Sequence, residues 1–176
     1  MLLDLTRYRQ PLDHFARTFQ PPEVGDEIDA YRIVSPVALA FDVHKDREKF
    51  RLIGAVHAQL ELECSRCLEP FPLEVDAPFD VRYLPASAMS SDPEREVPDE
   101  DLDLSYYRDD HIDLNELLRE QFFLALPMKP LCREDCRGLC PQCGANLNAA
   151  ACACATTWES PRLAVLRGLR FDRPDR

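Results

Sequence analysis

Between Tyr31 and Tyr83, apolar residues return at every second position, the period at which a strand turns its side chains to one face. The first run is Tyr31, Ile33, Val37, Leu39, Phe41 and Val43, with Pro36 marking an edge or a bulge. In the second, Leu52, Val56, Ala58, Leu60 and Leu62 alternate with a mixed face of Ile53, Ala55, His57, Gln59 and Glu61. The third is the cleanest. Phe71, Leu73, Val75, Ala77, Phe79, Val81 and Tyr83 stand against Glu74, Asp76, Asp80 and Arg82. This alternation predicts half-buried antiparallel strands. The segment CSRCLEP, Cys64 to Pro70, is short enough to be the tip of a hairpin joining the last two.

From Ala86 to Asp110 the pattern is lost. The stretch holds nine acidic residues and two arginines, with Pro93 and Pro98 inside it. It offers too little apolar surface to order itself and reads as a mobile acidic loop, a solvated insertion before a dock for a basic partner. A helix follows. Asp113 takes the N-cap position, Glu116 lies three residues on, and Ile112 and Leu117 fall at staple positions. Leu114, Leu117, Leu118, Gln121, Phe122 and Ala125 mark its stripe, with Phe122 and Phe123 read as core, and Pro127 and Pro130 end it. A short closing helix is predicted from Ser160 as cap and Pro161 at the first position, packed by Val165, Leu166 and Leu169. The predicted class is α+β. Residues 1–127 form an antiparallel, barrel-like sheet with one main helix. Residues 128–176 form a Cys-rich metal-binding region with a short C-terminal helix, packed on the same domain.

Composition narrows the function. With 176 residues, 45% hydrophobic and 30% charged, the chain has the make-up of a soluble domain with a real core. A formal net charge of −11 excludes a whole-surface positive footprint for nucleic acid, so any such contact needs a local patch. No apolar run approaches the ~20 residues that span a bilayer. The start, MLLDLTRYR, lacks an export core, so a cytoplasmic protein is expected. Eight cysteines in such a chain read as metal ligands rather than disulfides.

Their order is Cys64-x2-Cys67, then Cys132-x3-Cys136-x3-Cys140-x2-Cys143-x8-Cys152-x-Cys154. Eight thiols suit two closed four-thiolate zinc sites, which hold a fold and leave no open position for water. The compact set Cys140, Cys143, Cys152 and Cys154 leaves Cys64 and Cys67 to join Cys132 and Cys136. The other pairing groups Cys132, Cys136, Cys140 and Cys143, and puts Cys64 and Cys67 with Cys152 and Cys154. A thioredoxin-like C-x-x-C is disfavoured because Cys64 and Cys67 lie between strands with no βαβ pattern. The spacing Cys136-x3-Cys140-x2-Cys143 also occurs in radical enzymes with a four-iron cluster, but 33 residues after Cys143 cannot form a barrel of about 200. His14, His44, His57 and His111 share no ligand spacing, and there is no phosphate-binding glycine loop and no G-x-S-x-G. No catalytic residue is assigned, and no enzyme or small-molecule substrate is expected.

The chain resembles the bacterial YceD proteins, named for large ribosomal RNA subunit accumulation. The resemblance covers most of the chain. It rests on CSRCLEPF (Cys64 to Phe71), LALPMKPLC (Leu124 to Cys132), DCRGLCPQCGANLN (Asp135 to Asn148) and PRLAVLRGL (Pro161 to Leu169). It implies a role in accumulation or processing of large-subunit ribosomal RNA, and so in ribosome biogenesis, without an established catalytic activity. It assigns no RNA-contacting residue. The residues themselves offer one patch. Two zinc-bound four-thiolate sites deepen the formal charge to about −15, yet Arg66, Arg133 and Arg137 flank ligand cysteines. Arg162, Arg167 and Arg170 could add to a phosphate-holding cluster. The competing reading is an acidic adaptor that binds a basic ribosomal protein through the 86–110 run. A further alternative is a thiol-redox or iron–sulfur protein.

Overall fold

The structure, a computed structural model, describes residues 1–25, 27–28, 30–88 and 104–154. Its elements in chain order are β1 (Leu2–Asp4), β2 (Leu12–Phe19), the one-turn helix α1 (Pro21–Val24), β3 (Glu27–Ile28), β4 (Tyr31–Ile33), β5 (Val37–Asp46), β6 (Lys49–Glu63), β7 (Pro70–Pro85), β8 (Leu104–Tyr107), β9 (His111–Asp113) and α2 (Leu114–Ala125). The long strand β6 organises the sheet. Along one edge it takes β5 and then β4, and along the other it pairs antiparallel with β7 from Phe50–Tyr83 to Glu63–Pro70. Beyond these, β2 flanks β5, β3 flanks β4, and β8 adds to β7 in parallel. A separate β1–β9 pair leads into α2.

Period two sorts the faces as expected. Val37, Leu39, Phe41 and Val43 of β5, Leu52, Val56, Leu60 and Leu62 of β6, and Val75, Phe79 and Tyr83 of β7 point into one core. Helix α2 packs on β7 and adds Leu114, Leu117, Leu118 and Phe122 to it. The exposed face carries cross-strand pairs, such as His57 Nδ1 at 3.2 Å from an Asp76 carboxylate oxygen directly opposite. Gly54 is required where β5 and β6 close on each other. A Cβ there would lie 2.1 Å from the Ala40 carbonyl oxygen and 2.4 Å from Phe41 Cβ.

Several expectations need correction. The sheet is open, not a barrel: β2 and β8 border it and do not pair with each other. The 15 and 16 residues of β6 and β7 far outrun β8, which has 4, and α2 packs on β7 and supplies side chains to the core. The sheet is also not wholly antiparallel, because β8 runs with β7. That strand lies inside the stretch read as an acidic loop. Tyr107 orders it, buried edge-on against Phe50 at 5.6 Å, with its hydroxyl donating to the Glu48 carbonyl at 3.0 Å. Asp113 caps α2 by accepting from the Asn115 N–H at 2.9 Å. Phe123 is half-exposed and rests edge-on against Tyr31. Residues 89–103 of the acidic run and the closing helix with Arg162, Arg167 and Arg170 lie outside the described residues. Among the described residues no helix is long and apolar enough to cross a membrane.

Candidate metal centres

The eight thiols fall into two groups of four: Cys64, Cys67, Cys132 and Cys136, and Cys140, Cys143, Cys152 and Cys154. Within each group all sulfurs lie within 4.8 Å of one another. Each group is built on a knuckle, and the two knuckles close alike. In the first, the Cys64 N–H donates to the Glu69 carbonyl (3.0 Å) and the Leu68 N–H to the Cys64 carbonyl (2.9 Å). In the second, the Cys140 N–H donates to Ala145 (2.8 Å) and the Gly144 N–H to Cys140 (2.9 Å). The residue after the second cysteine takes a left-handed conformation in both, Leu68 at φ 59° and Gly144 at φ 71°.

The first group sits at the tip of the β6–β7 hairpin. The Ser65 N–H donates to the Pro130 carbonyl at 2.9 Å, docking the segment after α2 onto the tip. Cys64, Cys67 and Cys136 are buried in their own small cluster with Phe71 and Leu131 beside them. The second group is more open, with Cys140 buried, Cys152 and Cys154 half-buried and Cys143 exposed.

The geometry fits a tetrahedral ion. Four sulfurs at about 2.3 Å from zinc stand about 3.8 Å apart. Cys64 and Cys136 sulfurs are 3.8 Å apart, as are those of Cys67 and Cys132. A disulfide would need about 2.05 Å. Electrostatics agrees. Backbone N–H groups, that of Cys132 foremost, pull the Cys64 thiol down to about 6. Those of Cys143 and Gln142 do the same for Cys140, also to about 6. Burial pushes the Cys136 thiol up, but the Asn148 amide and the Gly138 N–H outweigh it, and the net direction is down. Burial and three neighbouring thiols push Cys132 up to about 12. Its bond with Cys143, together with burial, pushes Cys154 up to about 12. Four crowded thiols cannot all ionise alone, and a dication removes that conflict. Each group could hold a metal ion, and no ligand position remains open once four thiolates bind.

Three arginines were expected around the first group, and the structure gives each a place. Arg66 donates to the carbonyls of Glu134 (3.1 Å) and Cys136 (2.8 Å), tying the knuckle to the segment beneath it. Arg133 donates to Asn148 Oδ1 (2.8 Å) and pairs with Asp135 at 3.4 Å. Arg137 donates its backbone N–H to Asn148 Oδ1 (2.8 Å), and its guanidinium meets no partner among the described residues. Asn148 is the residue that sequence reasoning missed. Its amide donates to the Cys136 sulfur at 3.3 Å while its oxygen holds Arg133 and Arg137, so it orients a candidate ligand from outside the group of four sulfurs. The Asn146/Asn148 pair following the second knuckle was the available signal.

Residues 52–170 match the family described as "Large ribosomal RNA subunit accumulation protein YceD". A Zea mays relative, "Large ribosomal RNA subunit accumulation protein YCED homolog 1, chloroplastic", is 29% identical over 149 residues, 68% of this chain and 49% of its own length. The Arabidopsis thaliana protein of the same description is 26% identical over 174 residues, 84% of this chain and 52% of its own. An uncharacterized Mycobacterium tuberculosis protein is 34% identical over 128 residues, 72% of this chain and 59% of its own. The chain thus spans about half to six-tenths of the length of these relatives. No solved structure matches the chain.

Proposed function

Because the chain belongs to the YceD family of large ribosomal RNA subunit accumulation proteins, we propose that it supports accumulation of large-subunit ribosomal RNA as a non-enzymatic factor in ribosome biogenesis. It acts in the cytoplasm on a precursor RNA or on a ribosomal protein bound to it. The family match over residues 52–170 carries this reading. That span includes both thiolate groups and the strands that present the first. The ion in each group is zinc, two per chain. Cys64, Cys67, Cys132 and Cys136 would hold one and Cys140, Cys143, Cys152 and Cys154 the other. Each ion supplies cross-linking of the fold rather than chemistry on a substrate, because four thiolates complete its shell. The residues around it serve that end. Arg66 and Arg133 are spent on carbonyl and amide partners that hold the site together. Arg137, with its guanidinium turned to no described partner, is the cation left to meet phosphate.

In-cell ultraviolet crosslinking of the tagged full chain, with sequencing of the recovered RNA, tests the reading. Enrichment of a defined stretch of large-subunit ribosomal RNA, weakened by Arg137→Glu, is the expected result. Recovery of ribosomal proteins without RNA would move the contact to a basic protein partner. Recovery of neither would remove the ribosomal role.

A further inference from the structure

The two long borders of the sheet are treated differently. Along β7, prolines stand at 70, 72 and 78, all of one parity, within a ladder to β6 that runs unbroken from Pro70 to Tyr83. A strand turns the N–H groups of alternate residues to opposite edges, so these three prolines remove donors from the open edge. This is how an edge is closed to other strands. The opposite border, β2, reads LDHFARTF and has no proline.

Among the described residues β2 pairs with β5 alone. The Lys45 N–H donates to the Pro11 carbonyl at 2.9 Å, one step beyond the Leu12–His44 pair. Odd-numbered residues of β2 therefore bond inward to β5, and Leu12, His14, Ala16 and Thr18 turn their amides and carbonyls to the open edge. His14 agrees, since its N–H is taken by its neighbour's Asp13 Oδ1 at 2.9 Å and not by β5.

We propose that this edge is a self-association surface, on which two copies pair antiparallel through β2 about a two-fold axis at Phe15. That register puts His14 opposite Ala16 and Leu12 opposite Thr18 of the second copy, with edge amides and carbonyls in bonding positions. The intervening pairs have Cα atoms about 4.5 Å apart, the closer spacing. They are Phe15 with Phe15 of the second copy, and Asp13 with Arg17 of the second copy, twice by symmetry. Every pair is compatible. Two are opposite charges, one is aromatic, and the rest set a small or uncharged side chain beside its neighbour. Phe15 already stacks on Phe41 at 4.7 Å and 19°, so its ring is held ready. A two-fold contact of this kind closes on itself and stops at a dimer. Two intrachain contacts are exchanged on pairing, His14 N–H to Asp13 and Arg17 to Glu23 at 3.4 Å. Both are surface contacts of small worth.

Sedimentation velocity on the reduced, metal-replete full chain over a concentration series tests this. The wild type should move from one toward two times 20.2 kDa as concentration rises. Asp13→Arg and Arg17→Asp should each be monomeric alone, because each sets like charges opposite one another. An equimolar mixture of the two should dimerise, because unlike charges then meet at both pairs. Ala16→Pro, tolerated on an edge, should weaken pairing about 30-fold through two lost backbone hydrogen bonds per dimer, with an unchanged circular dichroism spectrum. A wild type monomeric at every concentration, association indifferent to these changes, or a mixture that stays monomeric would overturn the proposal.

Discussion

Gly54 stands where β5 and β6 approach more closely than a methyl group allows, with the backbone oxygen of Ala40 as the obstacle. Backbone cannot swing aside like the end of a flexible side chain. Gly54→Ala should therefore cost about 1–3 kcal/mol, the range of an overpacked core, read as a lower midpoint in urea with the slope unchanged. A second residue-scale prediction concerns Arg51 and Asp80, a cross-strand ion pair of β6 and β7. The hydrogen bond from Arg51 holds the Asp80 carboxyl below its ordinary 3.8. A lowered folded value means the contribution is present above the unfolded value and is lost as pH falls through the folded one. Arg51→Gln should raise the Asp80 titration toward 3.8 in a nuclear magnetic resonance experiment. The stability gap between the proteins should shrink as pH falls below 3.8 and vanish only below the lowered folded value of Asp80. Both side chains are about half exposed, so the effect at neutral pH is small. The residue scale is also where the sequence was least legible. The eight cysteines announced themselves by type and spacing. Asn148 did not, because an amide that orients a thiolate looks like any loop asparagine until the fold brings it 3.3 Å from Cys136.

The elements that period two revealed are those with one face in the core and one in solvent: β4, β5, β6 and β7. The ones it missed fail that condition. Strand β2 lies on the border with six of its eight residues outside the core and Leu12 exposed, so alternation carries little signal. Strand β8 hides in an acidic stretch because only one of its four residues, Tyr107, is buried in the core, while the neighbouring charges dominate the tally. At this scale the two knuckles share a hydrogen-bond pattern but not a setting: one is sealed at a hairpin tip, the other is half open. Metal analysis of anaerobically purified protein should give about two zincs per chain. Cys140→Ser with Cys143→Ser should lower this to about one and leave the sheet's spectrum intact, because the main core contains no cysteine. Stoichiometric iron with sulfide would contradict the zinc assignment and return the redox reading.

At the scale of the whole molecule, an open sheet covered by one helix carries a separate tip on which four cysteines converge. The hydrophobic core and the cysteine cluster are distinct, with Phe71 and the Ser65–Pro130 hydrogen bond at their border. Under the proposed function, the sheet is the rigid mount and the tip the part that would present Arg137 to a partner. The claim that this serves accumulation of large-subunit ribosomal RNA is tested most directly by removing the chain from its own cell. The measurement is the ratio of large- to small-subunit ribosomal RNA, with the wild type and the Cys64→Ser/Cys67→Ser variant returned in turn. The ratio should fall, recover with the wild type and stay low with the variant. A ratio that does not change when the protein is absent would contradict it.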